Sequence, residues 1–331
     1  MPDRQLVLTF SLFGFILLLT SSCISPGGLF SFLDPPPSAC LEQFGANEEW
    51  SNESEVHIDG YSAHAMEPKL SADESQLFWN DKPASDDEMN IHYAVKQPSG
   101  RYLYKGTLPG SVSPQHLDGV PALDTSGNFY FVSTRNYTTN FQTLFGGRLV
   151  SRESAPLEVF DVAPIDPMVS EKKLGTVDMD LDVSWDGTLL VVSRARFSGR
   201  PFPEESRLAI FKLSARNASP HSEANAWLAE VNRPECRTYA GNLSKDKLEL
   251  YYTILPLGSR IGPDDFRIVV SKRKSLTDAF TKGEIISGIR GQFTEGPAVS
   301  YRDGGTSLIY HRRDPKSERF KIYRVSRNRA S

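Results

Sequence analysis

Acidic and histidine residues gather in short segments that each lie just upstream of a polar turn. They are His64 and Glu67, His116 and Asp118, Asp178 and Asp180, Cys236 with Arg237, and Glu295. Four of the five segments carry a carboxylate. If the chain brings these acids together, their repulsion raises some pKa values or recruits a cation. Three chemistries follow: an oxygen-lined, Ca²⁺-like cation site, a funnel for a polar ligand, or an acid pair that cleaves glycosides. The last needs two carboxyls about 5–9.5 Å apart, a separation that sequence spacing does not give. The motifs around Glu67, Asp180 and Glu295 do not match glycosidase families clearly. The plainer expectation is that these acids cap the starts of strands and stay solvated, so no catalytic residue, metal or cofactor is assigned.

Other chemistries find less support. The six histidines, at 57, 64, 92, 116, 221 and 311, show no HxH or HExxH spacing, which argues against a zinc hydrolase. There is no Gly-x-Ser-x-Gly elbow and no glycine-rich phosphate loop. With 37 basic and 41 acidic residues the net charge is −4, too acidic to track nucleic acid.

The elements that must position the acids recur along the chain. A Ser-x-Asp-Gly-like turn followed by an apolar strand appears at 70–81, 123–134, 183–194, 243–254 and 299–312. The key turn positions Asp73, Ser126, Asp186, Asp246 and Asp303 are spaced by 53, 60, 60 and 57 residues. A period near 57 indicates an array of like units. Asp and Gly suit the tight turn, where a Ser or Asx side chain bonds the backbone two residues on. The strands that follow, such as Phe129–Val132 and Leu189–Val192, are wholly apolar and read as sandwiched on both faces. Further strands follow at Asn90–Val95, Thr143–Val150, Leu208–Leu213, Arg267–Ser271 and Phe320–Val325, and another precedes each turn. Four antiparallel strands per unit, repeated radially, give an all-β propeller. Five blades account for the chain if the strand-like Glu55–Ile58 completes the fifth, pairing with 319–326; six would require a copy whose turn is not seen. The acid-bearing segments then run along the central channel.

These repeats resemble the WD40-like PD40 repeats of TolB-type bacterial propellers. The strand ending is carried by Phe131-Val132-Ser133-Thr134-Arg135 and Ile309-Tyr310-His311-Arg312-Arg313, and the later strand by Lys321-Ile322-Tyr323-Arg324 and Arg267-Ile268-Val269-Val270. The resemblance covers roughly 60–328. The turn proline of that family is missing throughout and Ser126 replaces the usual Asp, so the chain departs from its pattern. It implies a fold more than an activity.

The N-terminus gives a location. Arg4 precedes an apolar run from Leu6 to Leu19, then Thr20-Ser21-Ser22 and Cys23, the order of a secretory signal. As a helix the run rises only about 21 Å, too short for a ~30 Å hydrocarbon core. Its end resembles the lipobox of bacterial lipoproteins, with Leu19 one place early. The resemblance implies lipidation at Cys23, cleavage of residues 1–22 and, with Ile24 following, outer-membrane sorting. Residues 23–53, including Pro35-Pro36-Pro37, read as a Pro-rich tether and 54–331 as the propeller. Cys40 and Cys236 remain as a pair able to bridge in an oxidising compartment; two independent thiols are the alternative. The expected function is an envelope-anchored propeller that recognises a protein or glycan without catalysis. The alternative is a glycosidase-like enzyme using the axial carboxylates.

Overall fold

A computed structural model describes residues 38–82, 88–152, 155–165, 173–199, 202–214, 216–258 and 261–328. Cys23, the signal and the proline run lie outside the described residues. Five antiparallel sheets stand around a common axis, each beginning with a strand that lines it. Blade one holds β4 (Met66–Leu70), β5 (Gln76–Asn80), β6 (Ile91–Lys96) and β7 (Tyr102–Thr107). Blade two holds β8 (Asp118–Leu123), β9 (Asn128–Asn136), β10 (Gln142–Arg152) and β11 (Ala155–Pro164). Blade three holds β12 (Thr176–Val183), β13 (Leu189–Arg196), β14 (Glu205–Ser214) and β15 (Asn217–Pro220). Blade four holds β16 (Cys236–Leu243), β17 (Glu249–Pro256), β18 (Arg267–Lys272) and β19 (Glu284–Ile286). Blade five holds β20 (Gln292–Val299), β21 (Ser307–Arg313) and β22 (Phe320–Arg327). Apolar clusters fill each junction, for example Phe78, Phe129 and Phe131 between blades one and two.

The turns form as their side chains dictate. In blade three Ser184 Oγ donates to Asp186 Oδ1 at 2.7 Å and accepts from Leu189 N–H at 3.0 Å; blades one and four repeat this with Ser71–Asp73 and Ser244–Asp246. In blade two the carboxylate has moved two residues upstream. Asp124 Oδ1 takes the N–H groups of Ser126 and Asn128 at 2.8 and 3.0 Å, which explains why Ser126 serves in place of Asp.

An N-terminal strand closes blade five, five residues earlier than expected. The pairing partner of β22 is β2 (Trp50–Glu55), which shares only Glu55, opposite Tyr323, with the expected Glu55–Ile58, although Val56 N–H still reaches Ile322 O at 2.9 Å. β3 (Ile58–Asp59) instead pairs in parallel with β7 of blade one. The stretch read as tether therefore contains ordered structure from residue 38 onward: α1 (Ser38–Leu41), β1 (Gly45–Asn47) and β2. β1 pairs in parallel with β19 of blade four, so residues 45–59 strap the outer edges of blades four, five and one in turn. Trp50 anchors the strap, fully buried and edge-on to Tyr251 at 5.8 Å. Ser51 to Glu55 carry no apolar residue because this outermost strand has a wet face, which is why no pattern announced it. A disulfide joins Cys40 to Cys236, the first residue of β16.

Candidate active site

The five inner strands bend near the axis, β12 between Asp178 and Asp180 and the other four just after the fifth residue before the turn. Each carries a β-bulge, and the fourth residue before the turn is Glu67, Val120, Asp180, Ala240 or Gly296. Four of these take a left-handed backbone, with φ of 50° at Glu67, 54° at Val120, 52° at Ala240 and 66° at Gly296. A bulge re-aims the side chains on either side of it. Glu67 and Asp180 thereby reach the axis. Glu295, one position earlier on β20 and flanked by two register shifts, joins them.

Asp118 and Asp178 occupy the sixth position before the turn and do not join the cluster. Asp118 Oδ1 accepts from Arg135 Nη2 at 2.8 Å and its Oδ2 from Ser113 N–H at 2.6 Å. Asp178 Oδ1 accepts from Arg194 Nε at 2.8 Å. Each acid is paired with an arginine of the second strand of its own blade. Cys236 is in the disulfide, and Arg237 donates to the carbonyls of Pro203 and Pro256. His64 Nδ1 accepts from Phe320 N–H at 3.2 Å, and His116 N–H closes a turn on Ser113.

The three axial acids are not solvated strand caps. Asp180 and Glu295 are only 7% and 6% exposed. Burial drives the pKa of Asp180 well above the usual carboxylate range, and Glu67, Asp182 and Glu295 add to the rise. Burial likewise pushes Glu67 up to about 7, with His311 opposing and Glu295 reinforcing. Protein crowds Glu67 from every side, yet its side chain keeps partial contact with solvent. That contact leaves one carboxyl of the cluster reachable from solvent. Glu295 Oε2 accepts from Tyr239 Oη at 2.7 Å, and burial beside these carboxyls keeps the Tyr239 phenol neutral. Met66, Met179, Tyr239, Phe293 and Phe320 form an apolar canopy at this end of the axis, with Phe266 and Phe293 edge-on at 5.2 Å.

A second layer lies deeper. Lys69 Nζ contacts Asp182 Oδ1 at 2.5 Å, and Asn242 Nδ2 donates to Asp182 Oδ2 at 2.7 Å while its Oδ1 takes Val299 N–H at 3.0 Å. Burial raises the pKa of Asp182 and the Lys69 ammonium opposes the rise. A cavity of about 30 Å³ lined by both layers has room for roughly two waters. Among the described residues no group of three or more His, Cys, Asp and Glu could hold a metal ion.

Tyr239, His311, Lys69, Asp182 and Asn242 escaped the sequence reading. The signal for His311 was a polar residue ending an apolar second strand, where the other blades have Asn80, Ser133, Ser193 and Thr253.

The arrangement sets carboxyls with raised pKa, Glu67 and Asp180, near one that accepts a hydrogen bond from tyrosine, Glu295. Two carboxyls in different surroundings can supply a proton donor and its base or nucleophile.

The fold has solved counterparts. The chain is similar to an α-L-arabinanase from Cellvibrio cellulosa, at 13% identity and a TM-score of 0.52 over 79% of this chain and 91% of that one. It is similar to an exo-1,5-α-L-arabinanase from a bovine ruminal metagenomic library, at 11% identity and 0.52 over 81% and 94%. It is also similar to the catalytic domain of a GH62 α-L-arabinofuranosidase from Coprinopsis cinerea, at 10% identity and 0.50 over 86% and 98%. At such identities the likeness is one of fold. No family model and no curated protein matches the chain. The expectation of a non-catalytic recognition module is corrected by these findings. Asp180 and Glu295 are buried and Glu67 partly so, and the solved structures named above are glycoside hydrolases.

Proposed function

We propose that the chain is a glycosidase-like hydrolase whose chemistry is carried by Glu67, Asp180 and Glu295. The supporting observation is that blades one, three and five each send one carboxyl to the axis, where the three act on one another electrostatically. Glu67 is the proton donor, because it keeps solvent contact and a pKa of about 7. Burial, reinforced by the Glu295 carboxyl, raises that pKa against the opposing pull of His311. Glu295, oriented by Tyr239, is the partner that attacks the anomeric carbon or deprotonates the attacking water, while the Glu67 proton passes to the departing glycosidic oxygen. The substrates of the fold neighbours make arabinan and α-L-arabinofuranosides the first to try, beside a panel of aryl glycosides. Turnover lost in Glu67→Gln and Glu295→Gln supports the reading; a folded protein that cleaves none of them overturns it.

The Ser–Asp turns favour a divergent PD40-type ancestry. We place the enzyme on the cell envelope, held through lipid on Cys23 and facing a glycan there. No helix among the described residues is long and apolar enough to cross a membrane.

A further inference from the structure

The backbone of an axial bulge is held by the preceding blade. Val120 N–H donates to Asn80 Oδ1 at 2.9 Å, Ala240 N–H to Ser193 Oγ at 2.9 Å, and Gly296 N–H to Thr253 Oγ1 at 3.2 Å. Glu67 N–H donates to His311 Nδ1 at 3.1 Å, which closes the ring from blade five to blade one. Three of these latches are uncharged acceptors with no ring nitrogen to spare. The fourth is an imidazole, and Nδ1 alone accounts for the latch. Its other nitrogen, Nε2, is fully buried, has no hydrogen-bond partner and lies 3.8 Å from Glu295 Oε1.

The latch fixes the tautomer. Nδ1 accepts, so it carries a lone pair, and the proton of the neutral ring sits on Nε2 facing Glu295. Burial lowers the pKa of the ring, and the carboxyls of Glu295 and Glu67 more than offset it, so the net direction is upward. A second proton would have to enter on Nδ1 and displace the Glu67 N–H. The latch therefore resists the protonation that the charges favour, and the ring stays neutral with its proton on Nε2. Phe320 is the aromatic neighbour of the ring, at 5.5 Å.

From these contacts we infer that His311 is a positioning residue, holding the Glu67 backbone with one nitrogen and presenting the other to the Glu295 carboxyl. The two acids then move as a unit. A shift of under about 1 Å brings Nε2–H to hydrogen-bond length, the kind of tightening that follows substrate binding. The catalytic half of this inference rests on the hydrolase reading; the tautomer and the latch do not.

Two substitutions separate the halves. Asn Oδ1 stands where ring Nδ1 stands relative to Cβ, so His311→Asn keeps the latch and deletes the donor. Gln Nε2 reaches the place of ring Nε2, so His311→Gln keeps a donor and deletes the latch. In the full chain, ¹⁵N NMR of His311 should show protonated Nε2 and bare Nδ1, with the Nε2–H resonance moved by Glu295→Gln. The Asn variant should melt within about 2 °C of wild type and the Gln variant several degrees lower. Glycoside kcat should fall about 10- to 100-fold in the Asn variant at nearly constant KM, with a displaced pH profile. A proton on Nδ1, or equal melting of the two variants, overturns the latch. An Nε2–H resonance indifferent to Glu295→Gln, or an Asn variant with wild-type kcat and pH profile, overturns the positioning role. If wild type hydrolyses nothing, the hydrolase reading falls, while the resonance and the melts still decide what His311 holds.

Discussion

Arg324 of blade five donates from Nη2 to Oε1 of Glu74 in blade one, at 3.0 Å. The same carboxylate takes Lys96 Nζ on Oε2 at 2.7 Å and the hydroxyl of Ser300. With a side chain 4% exposed, Glu74 ties the first and last blades together on the turn side of the ring. Burial raises its pKa, but Lys96, Ser300 and Arg324 outweigh that and hold it down to about 2.

A carboxylate depressed in the folded state stabilises above its unfolded pKa, near 4.5, and the contribution drains away between 4.5 and about 2. The difference is on the order of 3 kcal/mol. Glu74→Gln should forfeit it at neutral pH and show a flatter loss of stability in acid. Urea midpoints between pH 2 and 7 measure this; parallel curves for variant and wild type would count against the clasp.

The axial acids predict the opposite slope. Glu67 has a folded pKa of about 7, so between 4.5 and 7 the unfolded chain releases a proton that the folded chain keeps. Its contribution is fully present below 4.5 and is lost as pH rises to 7. Glu67→Gln should therefore stabilise the protein at pH 8, by about 1–2 kcal/mol after discounting for solvent contact, and change little at pH 4. The same variant should abolish turnover. A variant less stable than wild type at pH 8 would mean that the acids do not strain one another.

Reduction of the Cys40–Cys236 bridge frees the strap at its N-terminal end. Cys40→Ala should cost about 2–5 kcal/mol, seen as a lower melting temperature that dithiothreitol no longer affects. Wild type in dithiothreitol should match the variant.

Strap truncations give a graded series. Removing residues 24–37 should leave melting unchanged. Removal through 49 deletes the disulfide and β1, and removal through 55 also deletes β2 and bares the edge of β22. Bare edges pair with other chains, so the last form should aggregate as well as melt earliest. Identical melting of the last two would deny β2 its closing role.

Cys23→Ala should leave a chain that partitions away from the detergent phase on Triton X-114 separation, if lipid on that residue is the anchor. Continued membrane fractionation would point to the apolar run itself.

The fold class and the blade count were legible in the sequence because they rest on local chemistry; the short fifth unit called for an N-terminal strand without saying which residues supply it. A Ser–Asp turn or an apolar run reports its own conformation, and five spaced copies report the array. Glu67, Asp180 and Glu295 were legible as acids preceding turns, but so were Asp118 and Asp178, and nothing local separates them. The bulges do. One extra residue in β12 between Asp178 and Asp180 leaves the first on Arg194 and turns the second to the axis. The same limit hid the closing strand, whose polar Ser-Asn-Glu-Ser-Glu run is a strand only because β22 offers it an unpaired edge. It also left open whether Cys40 and Cys236, 196 residues apart, would meet. Secondary structure is set by neighbours in the chain. Which acids meet at the axis, and which edge a strand completes, is set by groups brought together from distant blades, and only closure of the ring supplies them.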